Sequence, residues 1–313
     1  MSAAGPAKVA SYLSCTDAVS TPAARVDVPL ACEAVVPIVN ALSIDVEDYF
    51  QVSALAPHID RRQWEQIECR IERNVERILA LLEDAGATAT FFTLGWIAER
   101  YPALIRRIGD AGHELASHGF GHRRASEQSR EAFLADIRLA KAVIEDVCGR
   151  EVRGYRAPSF SINAANAWAF DAIAEAGYRY SSSVYPIRHD HYGMPEAPRF
   201  AFDVRPGLLE IPVATVCMLG ANWPAGGGGY FRLLPYAVSR WSIRRINVRD
   251  RQPAMFYFHP WELDAGQPRV AGVGMKTRFR HYVNLQRTAP RLARLFRDFR
   301  WSRADRVFPG VAA

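Results

Sequence analysis

Four short clusters in this 313-residue chain carry side chains that could do chemistry. The first is Asp45-Val46-Glu47-Asp48, three carboxylates in four residues directly after the apolar run VVPIVNALSI. Carboxylates set that close repel one another, and a bound cation or an Arg relieves the repulsion. The second is SHGFGH (117–122). Two imidazoles four residues apart can converge on one divalent ion, and the two glycines favour a turn over a helix. His113-Glu114 ahead of them makes no zincin motif, because His118 stands one residue too far on and the segment lacks helix character. The third is GYRAPSF (154–160), where Arg156 ends a strand before a proline and is placed to pair with a carboxylate. The fourth is FYFHPWE (256–262), where His259 follows an apolar strand. Metal ligands, a carboxylate base, an Arg and a second His are the parts needed for metal-assisted hydrolysis of an amide or ester.

The clusters share a position: each follows a predicted strand. The run from Val35 is β-branched and apolar, as in a strand buried on both faces. Ile71, Val75, Ile78, Leu79 and Leu82 recur at helical spacing, with Gly86 as the stop. Strands are predicted at 87–94, 113–117, 152–157, 178–182, 208–216 and 254–258. Helices are predicted at 96–108, 126–147 with Ser126 as N-cap, 164–176 and about 235–247. Alternating strands and helices mean a parallel α/β fold. An open doubly wound sheet would place a Gly-rich phosphate loop after its first strand, and this chain has carboxylates there. A (β/α) barrel, which gathers strand ends into one mouth, fits better. The expected organisation is a loose leader over 1–34, a barrel over 35–265 and a basic helical extension over 266–313.

Composition narrows the classes. Hydrophobic residues make up 49% and charged residues 23%, which excludes a disordered chain or a fibre. No apolar stretch approaches the roughly 20 residues that span a bilayer. The net charge of +6 is concentrated at one end: residues 269–313 hold 11 Lys/Arg against 2 Asp/Glu, and the rest hold 28 against 31. The body is therefore not a basic nucleic-acid-binding surface. Five scattered cysteines without a Cys-x-x-Cys pair suit a reducing compartment. With no export signal evident, the expected location is cytoplasmic.

The order of DVEDYF, SHGFGH, RAPSF and FHPWE resembles the polysaccharide deacetylases with NodB homology, carbohydrate esterase family four. The run GGGGYFRLLPY and the tail KTRFRHYVNL…RLFRDFRW resemble the branch found in bacterial exopolysaccharide loci with exosortase systems. The resemblance covers roughly residues 38–305. It implies a distorted (β/α) barrel and a divalent metal, usually zinc, held by an acid and two His. His118 and His122 match the imidazole ligands, and Asp45 matches the catalytic base. Val46 stands where the family's usual second acid would be, so Glu47 and Asp48 both remain candidates for the metal carboxylate, with Glu47 favoured. Arg156 matches the residue that orients the base, the Ser159 backbone N–H an oxyanion donor, and His259 the general acid. The family's fourth motif normally supplies an Asp that tunes this His. The matching stretch here, YSSS (180–183), has no acid, which leaves Glu262, Asp264 and Glu210 as candidates.

The implied reaction is N-deacetylation of an N-acetylated polysaccharide or its lipid-linked precursor. The rival readings are an inactive barrel that binds glycan or a partner, and a hydrolase of small amides. The glycines at 226–229 lack Gly-Lys-Ser/Thr and read as a flexible rim loop; Trp223, Tyr230, Phe231 and Trp261 are candidates to bind sugar rings. In the tail, Leu285, Ala289, Leu292, Phe296 and Phe299 form an amphipathic stripe. Arg287, Arg291, Arg294, Arg297 and Arg300 lie largely off it. The stripe is expected to pack on the barrel, and the Arg edge could make peripheral contact with an anionic membrane.

Overall fold

The apolar run before the first acidic cluster is strand β1, Val39–Val46, buried along nearly its whole length. The computed structural model describes residues 37–190 and 192–311, so the leader expected over 1–34 lies outside them. The chain continues through α1 (Ile71–Asp84), β2 (Thr90–Thr93), α2 (Gly95–Arg100), α3 (Pro102–Asp110) and β3 (Glu114–Ser117). Next come α4 (Arg130–Cys148), β4 (Gly154–Tyr155), α5 (Trp168–Glu175), β5 (Tyr180–Ser181), β6 (Phe202–Arg205) and β7 (Leu208–Glu210). A hairpin, β8 (Thr215–Met218) and β9 (Ala221–Pro224), leads to α6 (Gly228–Leu233), α7 (Tyr236–Arg245) and β10 (Met255–Phe258). The tail forms α8 (Met275–Tyr282), α9 (Thr288–Asp298), β11 (Arg300–Ser302) and α10 (Ala304–Val307).

The main sheet runs β10-β1-β2-β3-β4-β5-β7-β6, parallel except for the β6–β7 pair. It curls into a distorted half-barrel. Irregular backbone, not strand pairing, bridges its far side: Ala214 N–H donates to Met255 O at 3.0 Å and Tyr257 N–H to Gly226 O at 2.7 Å. Alternation along β1 separates two environments. Leu42, Ile44 and Val46 belong to the outer core shared with α1, α3, α4 and α9, while Ala41 faces an inner cluster with Phe92, Ala116, Tyr180, Ile211 and Met255. Ala304 and Val311 from the tail join that inner cluster.

Several predicted elements differ in detail. The 96–108 helix is broken in two, because Pro102 starts α3 and cannot continue the hydrogen bonding of α2. The long helix begins at Arg130, and its N-cap is Ser129, whose hydroxyl accepts the Ala132 N–H; Ser126 lies in the preceding turn. The 208–216 strand is split: β7 ends at Glu210, and Thr215 onward pairs with β9. Glycines 226–228 are no flexible rim loop. They are buried against β10, where a Cβ on Gly227 would stand 2.0 Å from Tyr257 O and one on Gly228 2.4 Å from the Tyr257 hydroxyl.

The tail stripe packs inward. Of its five residues Leu285, Leu292 and Phe296 are buried and Ala289 and Phe299 partly so; Leu295, outside the expected stripe, is buried as well, and each large buried side chain is worth roughly 1.5–3 kcal/mol relative to exposure. The tail also enters the sheet: β11 lies parallel to β1, with Val39, Asn40 and Ala41 in register with Arg300, Trp301 and Ser302. No helix among the described residues is long and apolar enough to cross a membrane.

Candidate active site

The strands end on one side of the half-barrel, and their ends carry the four clusters. On β1, Ser43 and Asp45 face inward, and Glu47 follows after a tight turn in which its N–H donates to Asp45 O at 2.9 Å. Two-residue alternation therefore puts Asp45 and Glu47 on the site side and Val46 in the outer core.

Glu47, His118 and His122 form a buried group whose donor atoms all lie within 4.8 Å of one another. His118 Nδ1–H donates to Arg156 O at 2.8 Å, which leaves Nε2 as the ring's lone-pair atom. His122 Nδ1 faces Ser53 Oγ at 3.4 Å, and its Nε2 lies 2.6 Å from Glu47 Oε2. That carboxylate oxygen is buried without a hydrogen bond. Two lone pairs facing each other so closely need a proton or a cation between them. Two imidazoles and one carboxylate are also the donor types of a catalytic divalent site with an open position, so the residues fit the metal. Burial opposes charge on Glu47, but His122 and His259 outweigh it and hold the carboxyl well below its usual range. Burial likewise pushes His118 down to about 4, toward the neutral form that a ligand needs.

Asp48, the other acid considered for the metal, is turned away from this group. It caps the following turn, with Oδ1 accepting the Tyr49 N–H at 2.7 Å and Oδ2 accepting the Arg70 N–H.

Arg156 is fully buried and faces the ring of Phe92, 4.1 Å from its centroid. Its guanidinium donates to Asp45 Oδ1 at 2.5 Å, to Ser43 Oγ at 2.9 Å, and to Ser182 O and Oγ at 3.0 and 2.9 Å. Asp45 Oδ2 is thereby aimed toward His259, whose Nε2 is 3.8 Å away. Ser159 sits in the left-handed region at φ 56°, followed by Phe160 at φ 48°. Such consecutive strain re-aims the backbone where a site needs it. The Ser159 hydroxyl donates to Ser53 Oγ at 2.8 Å, which places this turn beside His122.

His259 ends β10, and Pro260 opens a tight 3-10 turn over Pro260–Leu263 that returns residue 262 beneath the ring. Its Nδ1 lies 2.6 Å from Glu262 Oε1, which also accepts the His259 backbone N–H at 3.0 Å. Of the three acids left open as the partner of His259, the structure therefore places Glu262 there. Asp264 pairs instead with Arg70 and Arg73, and Glu210 accepts the N–H groups of Ser183 and Val184. Burial disfavours charge on His259, but Glu47, Glu262 and Asp45 together lift it to about 9 in the metal-free protein.

The four residues considered for sugar binding separate. Phe231 is core, edge-on to Phe256 at 5.2 Å. Trp261 is also buried and offers no open stacking face: its ring lies between His259 and His281, and its N–H donates to Glu47 Oε1 at 3.1 Å. Trp223 is half-exposed on the β8–β9 hairpin opposite Val216, and no hydrogen bond or ring contact among the described residues ties it to the site. Tyr230 packs, partly open, on an aromatic cluster with Tyr185, Tyr192, Phe160 and Tyr257, and Tyr257 of that cluster lies edge-on to His259 at 5.5 Å. Sequence reasoning missed Ser43, Ser182 and Arg232; their partners come from elements distant in the chain, and no local spacing signals them.

Residues 64–181 match the family model described as polysaccharide deacetylase, and residues 182–309 match one described as a domain of unknown function (DUF3473). A chitooligosaccharide deacetylase of Azorhizobium caulinodans is 34% identical over 26% of this chain and 39% of its own length. A peptidoglycan-N-acetylglucosamine deacetylase of Bacillus cereus is 35% identical over 33% of this chain and 46% of its own. The matched part thus spans less than half of each of these relatives. A solved peptidoglycan deacetylase structure from Bacillus subtilis covers 88% of this chain and 91% of its own, at 13% identity and a TM-score of 0.43. Over part of its length, residues 64–181 for the family model, the chain is thus similar to polysaccharide deacetylases.

Proposed function

We propose that the protein is a metal-dependent N-deacetylase that hydrolyses the acetamide of an N-acetylated glycan and releases acetate. The observation that carries this reading is the buried Glu47–His118–His122 group with Asp45 and His259 beside it. Glu47, His118 and His122 would hold the ion, zinc by donor type, and a bound divalent ion would acidify water and polarise the acyl oxygen. Asp45, oriented by Arg156, takes the proton of the attacking water as the new C–O bond forms. The Ser159 turn presents backbone N–H toward the acyl oxygen, a type of donation that is usually a large catalytic contribution. As the C–N bond breaks, His259 delivers a proton from Nε2 to the departing amine. The acid under His259 removes the main reason for an inactive barrel, since the missing fourth-motif acid has a replacement in Glu262.

The substrate class we propose is a polysaccharide or a lipid-linked exopolysaccharide precursor, with Tyr230 as the residue nearest the site to receive a sugar ring. Peripheral contact with an anionic membrane is supported by exposed Arg287, Arg294, Arg297 and Arg300. Arg291 is not part of that surface, because it donates to the carbonyls of Phe231, Arg232 and Leu234. Helix α7 lies beside α9, joined by Arg240–Asp298, and adds exposed Trp241 and Arg244, with Val248 and Arg249 exposed in the π-helical turn after it.

The test is acetate release from N-acetylhexosamine oligomers by purified protein with divalent metal. Release abolished by chelator and restored by metal is the expected result; no release from any oligomer with metal bound overturns the reading.

A further inference from the structure

We infer that Arg232 is a positioning residue for proton delivery, and that the segment 280–283 holds it in place. This deepens the deacetylase reading and rests on it for the reaction concerned. Arg232 lies in α6, outside all four clusters, and is buried. Its Nε donates to Glu262 Oε2 at 2.5 Å. Its remaining donors go to backbone carbonyls: Nη1 to His281 O at 2.8 Å and Val283 O at 3.0 Å, and Nη2 to Arg280 O at 3.1 Å. The guanidinium also faces the Trp261 ring at 5.1 Å. Its own carbonyl is held from the tail by Asn284 and Arg291. Each donor therefore has a fixed direction, and only one of them touches the carboxylate.

Glu262 is in turn divided between two duties. Oε2 takes the Arg, and Oε1 takes His259 Nδ1. Occupying Nδ1 fixes the ring and turns Nε2 toward Asp45 and Glu47, at 3.8 and 3.6 Å. His281, stacked on Trp261 at 4.3 Å and bonded to Gln267 Oε1 at 2.7 Å, locks the same turn from its other side. The Gln267 Nε2 amide donates in turn to the carbonyls of Trp261 and Asp264, at 2.9 and 3.0 Å. The part of the chain beyond the barrel thus reaches the reacting centre through one guanidinium. A Lys cannot replace it, since an ammonium lacks the planar fork that spans a carboxylate and three carbonyls.

The experiment compares full-length wild type, Arg232→Lys and Glu262→Gln, each loaded with the same divalent metal, on two acetyl substrates. One is an N-acetylhexosamine oligomer, whose amine must be protonated to leave. The other is an aryl acetate ester, whose phenolate leaves without help. Both variants are expected to lower the ratio of amide to ester turnover, by about 10- to 100-fold. An equal fall on both substrates, or no fall on either, overturns the inference. A second readout needs no turnover: the deshielded proton resonance of the His259 Nδ1–H···Glu262 bond in the metal-free protein. It should be present in wild type and lost or shifted in Arg232→Lys. Its persistence there unchanged overturns the inference, and its loss in a protein that deacetylates no sugar would separate failure of the deacetylase reading from failure of this one.

Discussion

Replacing Glu262 by Gln keeps the side chain's shape and removes its charge, so the change measures what the buried carboxylate contributes to stability. Burial disfavours the charged form, yet Arg232 and His259 overcome it and depress the carboxyl from 4.5 to about 2. At about 1.4 kcal/mol per pH unit, that depression corresponds to about 3 kcal/mol. The group is 1% exposed, so solvent screening takes little from this figure. Removing one partner of a buried ion pair costs a similar amount, about 3–5 kcal/mol. Because the folded-state value is depressed, the contribution is complete above about pH 4.5 and fades as pH falls toward 2. Urea unfolding of the metal-free proteins should therefore show Glu262→Gln less stable by about 3 kcal/mol at pH 7 and by about 2 kcal/mol at pH 3.5. With typical domain stabilities of about 5–15 kcal/mol, the variant remains folded. A difference below 1 kcal/mol at pH 7, or one that grows on acidification, would refute the reasoning.

Three further outcomes are expected. His118→Ala and Glu47→Gln should each lose bound divalent metal by elemental analysis, whereas Asp48→Asn should keep it and lose only about 1 kcal/mol of capping stability; metal loss in Asp48→Asn alone would reverse the assignment. Asp45→Asn should retain metal yet lose about 10²- to 10⁴-fold in turnover, and near-wild-type turnover at saturating metal would remove Asp45 as the base. Binding to anionic vesicles at low salt should weaken in an Arg294→Ala/Arg297→Ala variant, at about 1 kcal/mol per residue, and should disappear near 0.5 M salt. Sedimentation of wild type that is unaffected by salt would show that these charges do not drive it.

The clusters were legible because their chemistry is local: an apolar run followed by acids, or two His spaced by glycines, is visible in six residues. Periodicity likewise located α1 and the buried stripe of α9. The choice between Glu47 and Asp48 was only half legible, since alternation along β1 favours 45 and 47 but the turn at residue 48 could have re-aimed the chain. The partner of His259 was one of three candidates in the sequence, and what separates Glu262 from Asp264 and Glu210 is that His-Pro-Trp-Glu places it three residues after the His, with proline at the start of a tight turn. Arg232 and β11 were not legible, because the groups they bond to lie dozens to hundreds of residues away. Phe231 was misread because an aromatic beside glycines looks like a binding rim, whereas those glycines allow the backbone to press against β10.

The parallel pairing of β11 with β1 has a consequence for the order in which the molecule can form. Residues 300–302 pair with residues 39–41, some 260 positions earlier in the chain. Contacts of that separation are slow to close, because the intervening chain must be ordered or looped first. During synthesis from the N-terminus, β1 and its Asp45 emerge early, but one flank of the strand has no partner until β10 has been made at residue 258, and on the other flank Val39–Ala41 wait for β11 until residue 302. The exposed β1 edge is a site for mispairing throughout that interval. The candidate site at the far end of β1 is thus completed late, because His259 and Glu262 follow β10 and Arg232 is held by carbonyls of residues 280–283.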